Sequence, residues 1–219
     1  MVNILISGYY GFDNIGDESI LRTLVSSLRE HIPDCSLTVL SHNPASTREK
    51  YGVEAVDRMS PMAILRAVKK CDMLISGGGS LLQDVTSSKS LHYYLSIIRC
   101  AEFFHKKVFI YSQGIGPIDR PGNRRAAAAA LKRADGIVVR DERSASLLEE
   151  IGIARDKVVI TADPVIRMKK PDGDVGAEIL RKAGVSLDGR LTVGWAIRER
   201  DTDSRFVKEL LRSIQMMKD

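Results

Sequence analysis

The chain has 219 residues, 44% of them apolar, 28% charged and only 5% aromatic, an ordinary globular composition with an aliphatic core. Net charge is +5 and the isoelectric point about 9.1, but the basic pairs at Lys69, Lys106, Arg124 and Lys169 are scattered, which predicts a solvated surface and no nucleic-acid partner. Cys35, Cys71 and Cys100 form no CxxC pair, which argues against a disulfide framework or a zinc site, and no apolar run approaches the ~18 residues of a membrane span.

The N-terminus enters a strand at once, without a basic leader, so a cytoplasmic protein is expected. Residues 2–7 read as a buried strand ending at Gly8. Residues 18–29 place Ile20, Leu21, Leu24, Val25 and Leu28 at helical spacing, with Asp17 at the helix start. Strands follow at 36–40 and 53–56, and Pro61 opens a helix carrying Ile64, Leu65 and Val68. A strand at 72–76 delivers Gly77-Gly78-Gly79. A helix at 91–104 precedes a strand at 107–111 that ends in Gln113-Gly114-Ile115-Gly116-Pro117. An alanine-rich helix at 122–133, a strand at 136–139, a helix at 144–151 and a strand at 158–161 complete the alternation.

Strands alternating with helices predict an α/β fold with a doubly wound parallel sheet over residues 1–165. Residues 166–174, polar with Pro and Gly, read as a linker. Residues 175–219 offer a helix near 176–183, a strand at 191–197 and a helix from about 203 to 217, which reads as the incomplete start of a second Rossmann-like domain. The chain is thus expected to be an N-terminal fragment. Met216 and Met217 would be apolar surface, which allows a homo-oligomer.

Three glycine-bearing segments, 8–18, 77–84 and 113–117, each follow a predicted strand. A parallel sheet collects the carboxyl ends of its strands on one edge, so these loops should converge there on a phosphorylated or carboxylated small molecule. Together with Val139-Arg140-Asp141-Glu142-Arg143-Ser144 and Ala162-Asp163-Pro164, they resemble the polysaccharide pyruvyl transferase family, the CsaB type above all.

The resemblance implies a Rossmann-like N-terminal half of a GT-B-like two-domain fold. It implies transfer of a pyruvyl group from phosphoenolpyruvate to a sugar as a cyclic ketal, with release of phosphate. The CsaB-type acceptor is N-acetylmannosamine of a secondary cell-wall polymer precursor, which after pyruvylation anchors S-layer proteins. The acceptor would be lipid-linked or nucleotide-linked, and a peripheral association with the inner membrane face would follow. Phosphoenolpyruvate is then a co-substrate, with neither cofactor nor metal. Family members also carry a histidine and a lysine late in the second domain, beyond residue 219, where the general acid would be sought.

On this reading Asp17 is the candidate base or acceptor-orienting group, with a first-turn helix carboxylate as the alternative. Arg140 could grip a carboxylate or phosphate, or pair with Asp141 or Asp163. Gly11, Asn14, Gly16, Gly78, Gly79, Ser80 and Gly114 would shape or line the substrate site. Gln83, Asp84 and Gln113 could bond sugar hydroxyls, and Arg198 could meet donor phosphate. Tyr9, Tyr10 and Phe12 either stack on a sugar or pack the loop, and Glu18 reads as solvent-facing or a cap partner. A nucleotide-sugar glycosyltransferase and a non-catalytic carbohydrate- or anion-binding domain are the alternatives.

Overall fold

A computed structural model describes residues 1–170, 173–186, 189, 193–194 and 204–217. Two compact units divide the chain, Met1–Met168 and Lys169–Asp219.

The first unit runs β1 (Val2–Tyr10), α1 (Ile15–His31), β2 (Cys35–Ser41), α2 (Pro44–Tyr51), β3 (Glu54–Asp57), α3 (Pro61–Lys70), β4 (Met73–Ser76), β5 (Gly79–Leu82), α4 (Ser88–Phe103), β6 (Lys107–Ile115), α5 (Pro121–Leu131), β7 (Gly136–Val139), α6 (Glu142–Glu150) and β8 (Val158–Ile160), closing on a 3-10 turn at Pro164–Arg167. The strands lie in the order β3-β2-β1-β4-β6-β7-β8, with β5 against β6, and every pairing is parallel. This is the doubly wound, Rossmann-like sheet that the alternating pattern predicts. Strand order reverses between β1 and β4, so the ligand crevice of such a sheet opens at their carboxyl ends.

Two apolar layers hold the sheet. Ile4 and Ile6 of β1 face Leu21, Leu24 and Val39, while Leu5 between them belongs to the opposite layer with Leu74, Leu91, Ile98 and Ile110. That alternation is the period-two consequence of the pleat.

Several boundaries differ from the sequence reading. β1 continues to Tyr10 and β6 to Ile115, so parts of the first and third glycine segments are strand. Gly79 likewise opens β5, paired in register with Gln113. Helix α2 has no apolar stripe to announce it, since only Thr47 and Tyr51 are buried. It is set instead by its ends: the Asn43 side chain accepts from Ser46 N at 3.2 Å, and Gly52 at φ 61 terminates it.

In the second unit, α7 (Gly173–Lys182) and α8 (Ser204–Met216) are formed. The strand expected at 191–197 lies outside the described residues except for Val193 and Gly194. Phe206, Leu211, Met216 and Met217 are exposed. Among the described residues, no helix is long and apolar enough to cross a membrane.

Candidate functional site

The crevice between β1 and β4 is organised by the start of α1. Asn14 is the N-cap, its Oδ1 accepting from Gly16 N at 3.0 Å and Asp17 N at 3.3 Å. Capping therefore falls to Asn14, and the Asp17 carboxylate faces the neighbouring strand. A Cβ on Gly79 would lie 3.0 Å from Asp17 Oδ1, and Gly79 sits at φ +79, a conformation that favours glycine. Burial, with Glu18 and Asp163 beside it, pushes the Asp17 carboxyl up to about 6. An acid so tuned exchanges its proton near neutrality, as acid–base catalysis requires.

Arg140 leaves the end of β7 and is held from three sides. Nη1 lies 3.1 Å from Asp163 Oδ2, Nη2 donates to Ser80 Oγ at 2.9 Å, and Nε lies 3.5 Å from Asp141 Oδ2. Its seat exists because residue 114 has no side chain: a Cβ there would come within 2.7 Å of Nη2. Asp163 is fixed in turn by accepting from Val165 N at 3.1 Å. Thus Asp17, Gly79, Ser80, Gly114 and Arg140 come together, joined by Asp163 and Asp141. The face so formed sets several carboxylates around one arginine.

Other predicted residues are engaged within the fold. Gln113 is fully buried, and its Nε2 donates to Ser76 O at 2.9 Å and Ser76 Oγ at 2.8 Å, so it ties β6 to β4 rather than meeting a sugar. Asp84 is buried too, accepting from Asp119 N at 2.9 Å, Arg120 N at 3.1 Å and Asn123 Nδ2 at 2.7 Å, so its carboxylate secures the segment after β6 instead of a ligand hydroxyl. Gln83 bonds Thr86 through both ends of its amide. Gly78 is a packing glycine, where a Cβ would meet Ile20 Cγ2 at 2.5 Å. Gly11 adopts φ +80, and its N donates to Glu18 Oε1 at 2.8 Å. Glu18 also accepts from the Tyr51 hydroxyl, so it braces the loop rather than facing solvent. Gly16 lies in the first turn of α1, and Arg198 lies outside the described residues.

The aromatic residues of the first loop divide. Tyr10 is fully buried and packs the loop. Tyr9 stacks on Phe12 (centroids 4.1 Å, 7° between planes), and Phe12 stacks on His42 at the end of β2 (4.4 Å, 3°). Nothing in the sequence singles out His42 or Arg58 as a functional residue. Arg58 is 6% exposed, lies within 4.7–5.6 Å of the ring centroids of Tyr9, Phe12, Tyr93 and Tyr94, and donates to Gly8 O at 2.9 Å. It follows a short strand and precedes a helix, and nothing local in the sequence marks it as the cation that pins the glycine loop. Among the described residues, no group of three His, Cys, Asp or Glu side chains is placed to hold a metal ion.

Comparison with known proteins bears on this arrangement. Residues 14–211 match the family model for polysaccharide pyruvyl transferase. The amylovoran biosynthesis protein AmsJ of Erwinia amylovora is 24% identical over an alignment of 239 positions that takes in 90% of this chain and 57% of AmsJ. The chain thus spans little more than half the length of that relative. Anabaena HepE, solved with UDP-glucose, superposes with a TM-score of 0.58 at 12% identity, covering 99% of this chain and 66% of HepE. A putative UDP-N-acetylglucosamine 2-epimerase from Listeria monocytogenes gives 0.56 at 12% identity, covering 97% of this chain and 60% of the epimerase. At such identities the likeness is one of fold, in keeping with the GT-B-like class expected from the sequence.

Proposed function

Because the chain belongs to the polysaccharide pyruvyl transferase family, we propose that it transfers the pyruvyl group of phosphoenolpyruvate to a saccharide as a cyclic ketal. The observation that carries this is the Asp17 carboxyl, raised to about 6 and set beside Gly79 in the crevice that Arg140 also reaches. In the proposed reaction the methylene carbon of phosphoenolpyruvate gains a proton, and one sugar hydroxyl attacks the adjacent carbon. Phosphate then leaves, and a second hydroxyl closes the ketal. Two hydroxyl protons are released in all, one balancing the proton on carbon and one leaving with phosphate.

Asp17 is the base for a hydroxyl, since a carboxylate near its pKa at neutral pH accepts a proton and returns it readily. The Arg140 guanidinium carries five N–H groups, more than Ser80, Asp163 and Asp141 engage, and the remainder would meet one anionic group of the donor. With Asp141 and Asp163 paired to Arg140 and Asp17 within electrostatic reach of Asp163, this face suits the hydroxyls of an acceptor better than a trianion.

The acceptor we propose is a lipid-linked or nucleotide-linked saccharide, with the CsaB-type N-acetylmannosamine precursor as the first to try. A cytoplasmic enzyme, peripheral at the inner membrane face, would meet such an acceptor. The test is phosphate release from phosphoenolpyruvate with and without acceptor, by this chain and by a form extended to the length of its relative. Acceptor-dependent release that Asp17→Asn abolishes supports the reading. Release by neither form across an acceptor panel sinks it.

A further inference from the structure

The Tyr9–Phe12–His42 stack has no part in the chemistry assigned to Asp17 and Arg140. Phe12 lies between the other two rings, because both neighbours are nearly parallel to it at stacking distance. The two outer faces therefore belong to Tyr9, which is 40% exposed, and to His42, which is exposed. Arg58 does not cover the Tyr9 face. It lies 5.6 Å from the Tyr9 centroid and 5.2 Å from that of Phe12, so it sits beside the stack rather than on its end.

These rings stand at the carboxyl ends of β1 and β2, whereas Arg140 and Asp163 stand at the ends of β7 and β8. Asp17, at the head of α1 next to Gly79, falls between them along the sheet edge. With strands about 4.8 Å apart, the aromatic and arginine ends of the edge are separated by roughly the width of two small ligands.

We propose that this stack is the subsite for a pyranose ring of the acceptor, holding it on the β1–β2 side with a hydroxyl turned toward Asp17. The proposal rests on the transferase reading and names where its acceptor binds. Ring C–H groups of a pyranose carry slight positive charge and suit the negative faces of aromatic rings. A neutral ligand also fits the charges nearby. Arg58 is buried and holds Gly8 O and the Tyr94 hydroxyl (3.2 Å), and Lys50 is paired with Asp13 at 2.7 Å. Among the described residues, the two cations placed here, Arg58 and Lys50, are thus already engaged, and the phosphates of a stacked nucleotide would have to compete with Asp13 for Lys50. The rings are held before any ligand arrives, which lowers the cost of ordering them on binding.

The test titrates the full chain with methyl hexopyranosides, that of N-acetylmannosamine included, and separately with uridine diphosphate. Saturation transfer to the sugar and shifts of the Tyr9 and His42 ring signals are followed by NMR. Tyr9→Ala and His42→Ala should each weaken the pyranoside by about fivefold to tenfold, with circular dichroism unchanged, and Lys107→Ala, an exposed site at the opposite end of β6, should alter it by less than about twofold. Unchanged affinity in both stack variants, no pyranoside bound by the parent chain, or uridine diphosphate displacing the sugar from these rings would each overturn the proposal. Failure of the donor reading shows separately: the stack would still bind pyranoside while phosphoenolpyruvate released no phosphate.

Discussion

The Asp17 carboxylate lies 3.0 Å from the point where a Cβ on Gly79 would stand. One residue is an acid at the head of α1 and the other opens β5, so the switch point of the sheet is closed by a side chain meeting a bare backbone. Gly79→Ala would force a left-handed conformation on alanine and press on the carboxylate. A stability loss of about 1–2 kcal/mol is expected in urea unfolding, with a displaced Asp17 titration by carboxyl NMR. Full stability with an unmoved Asp17 would show that this contact constrains nothing.

Asp17 itself makes a signed prediction. Its carboxyl is pushed up from 3.8 to about 6, first by burial and then by Glu18 and Asp163. The folded state therefore binds more protons than the unfolded state between those values, and stability falls as pH rises through the window. Asp17→Asn removes that penalty. The variant should be more stable than the parent at pH 7–8, the difference shrinking toward zero near pH 4, while losing turnover. Urea midpoints across that range decide it, and a parent that gains stability on the Asn variant as pH rises would contradict the assignment.

Arg140 and Gly114 form a second pair of side chain and empty space. Gly114→Ala puts a methyl where Nη2 and Nε now lie, within 2.7–2.8 Å. The guanidinium must then leave Ser80 and Asp163. We expect Gly114→Ala to weaken phosphoenolpyruvate binding as much as Arg140→Met does, about tenfold or more for loss of a charge-assisted contact. Arg140→Lys should restore little, because a point charge cannot span the same partners. Calorimetric titration of the three variants with phosphoenolpyruvate checks the order, and a Gly114→Ala chain that binds like the parent would refute it.

Much of this site was legible in the sequence because strand ends and glycines are local signals. Asp17, Gly79, Gly114 and Arg140 were each marked by position at a strand or helix end, and the sheet edge brings them together. What stayed hidden depends on partners distant in sequence. Gln113 looks like a loop residue until β6 is seen to run to Ile115, which buries the amide against Ser76. Arg58 reaches the first loop across 50 residues, and His42 becomes a ring platform only because β2 lies beside β1. Helix α2 carries no periodic signal because its ends, rather than an apolar stripe, define it.

Asp84 shows how a residue with the look of a ligand can be a structural fastener. It accepts from two backbone N–H groups and from Asn123 Nδ2, which itself donates to Ser88 Oγ at 3.0 Å. Burial alone would raise its pKa, but the donors at Asp119, Asn123 and Arg120 hold it below the ordinary value. Asp84→Ala strands these donors and should cost about 3 kcal/mol in urea unfolding. Asp84→Asn keeps one acceptor but turns an amide N–H toward a donor, so an intermediate loss is expected. The depressed pKa means that the carboxylate's stabilisation is present above its unfolded value and is lost as pH falls through the folded one. The gap between parent and Asp84→Asn should therefore narrow below about pH 4. Sugar binding should be unaffected in both variants at neutral pH. A stable Asp84→Ala chain that had lost its acceptor would instead return Asp84 to the ligand site.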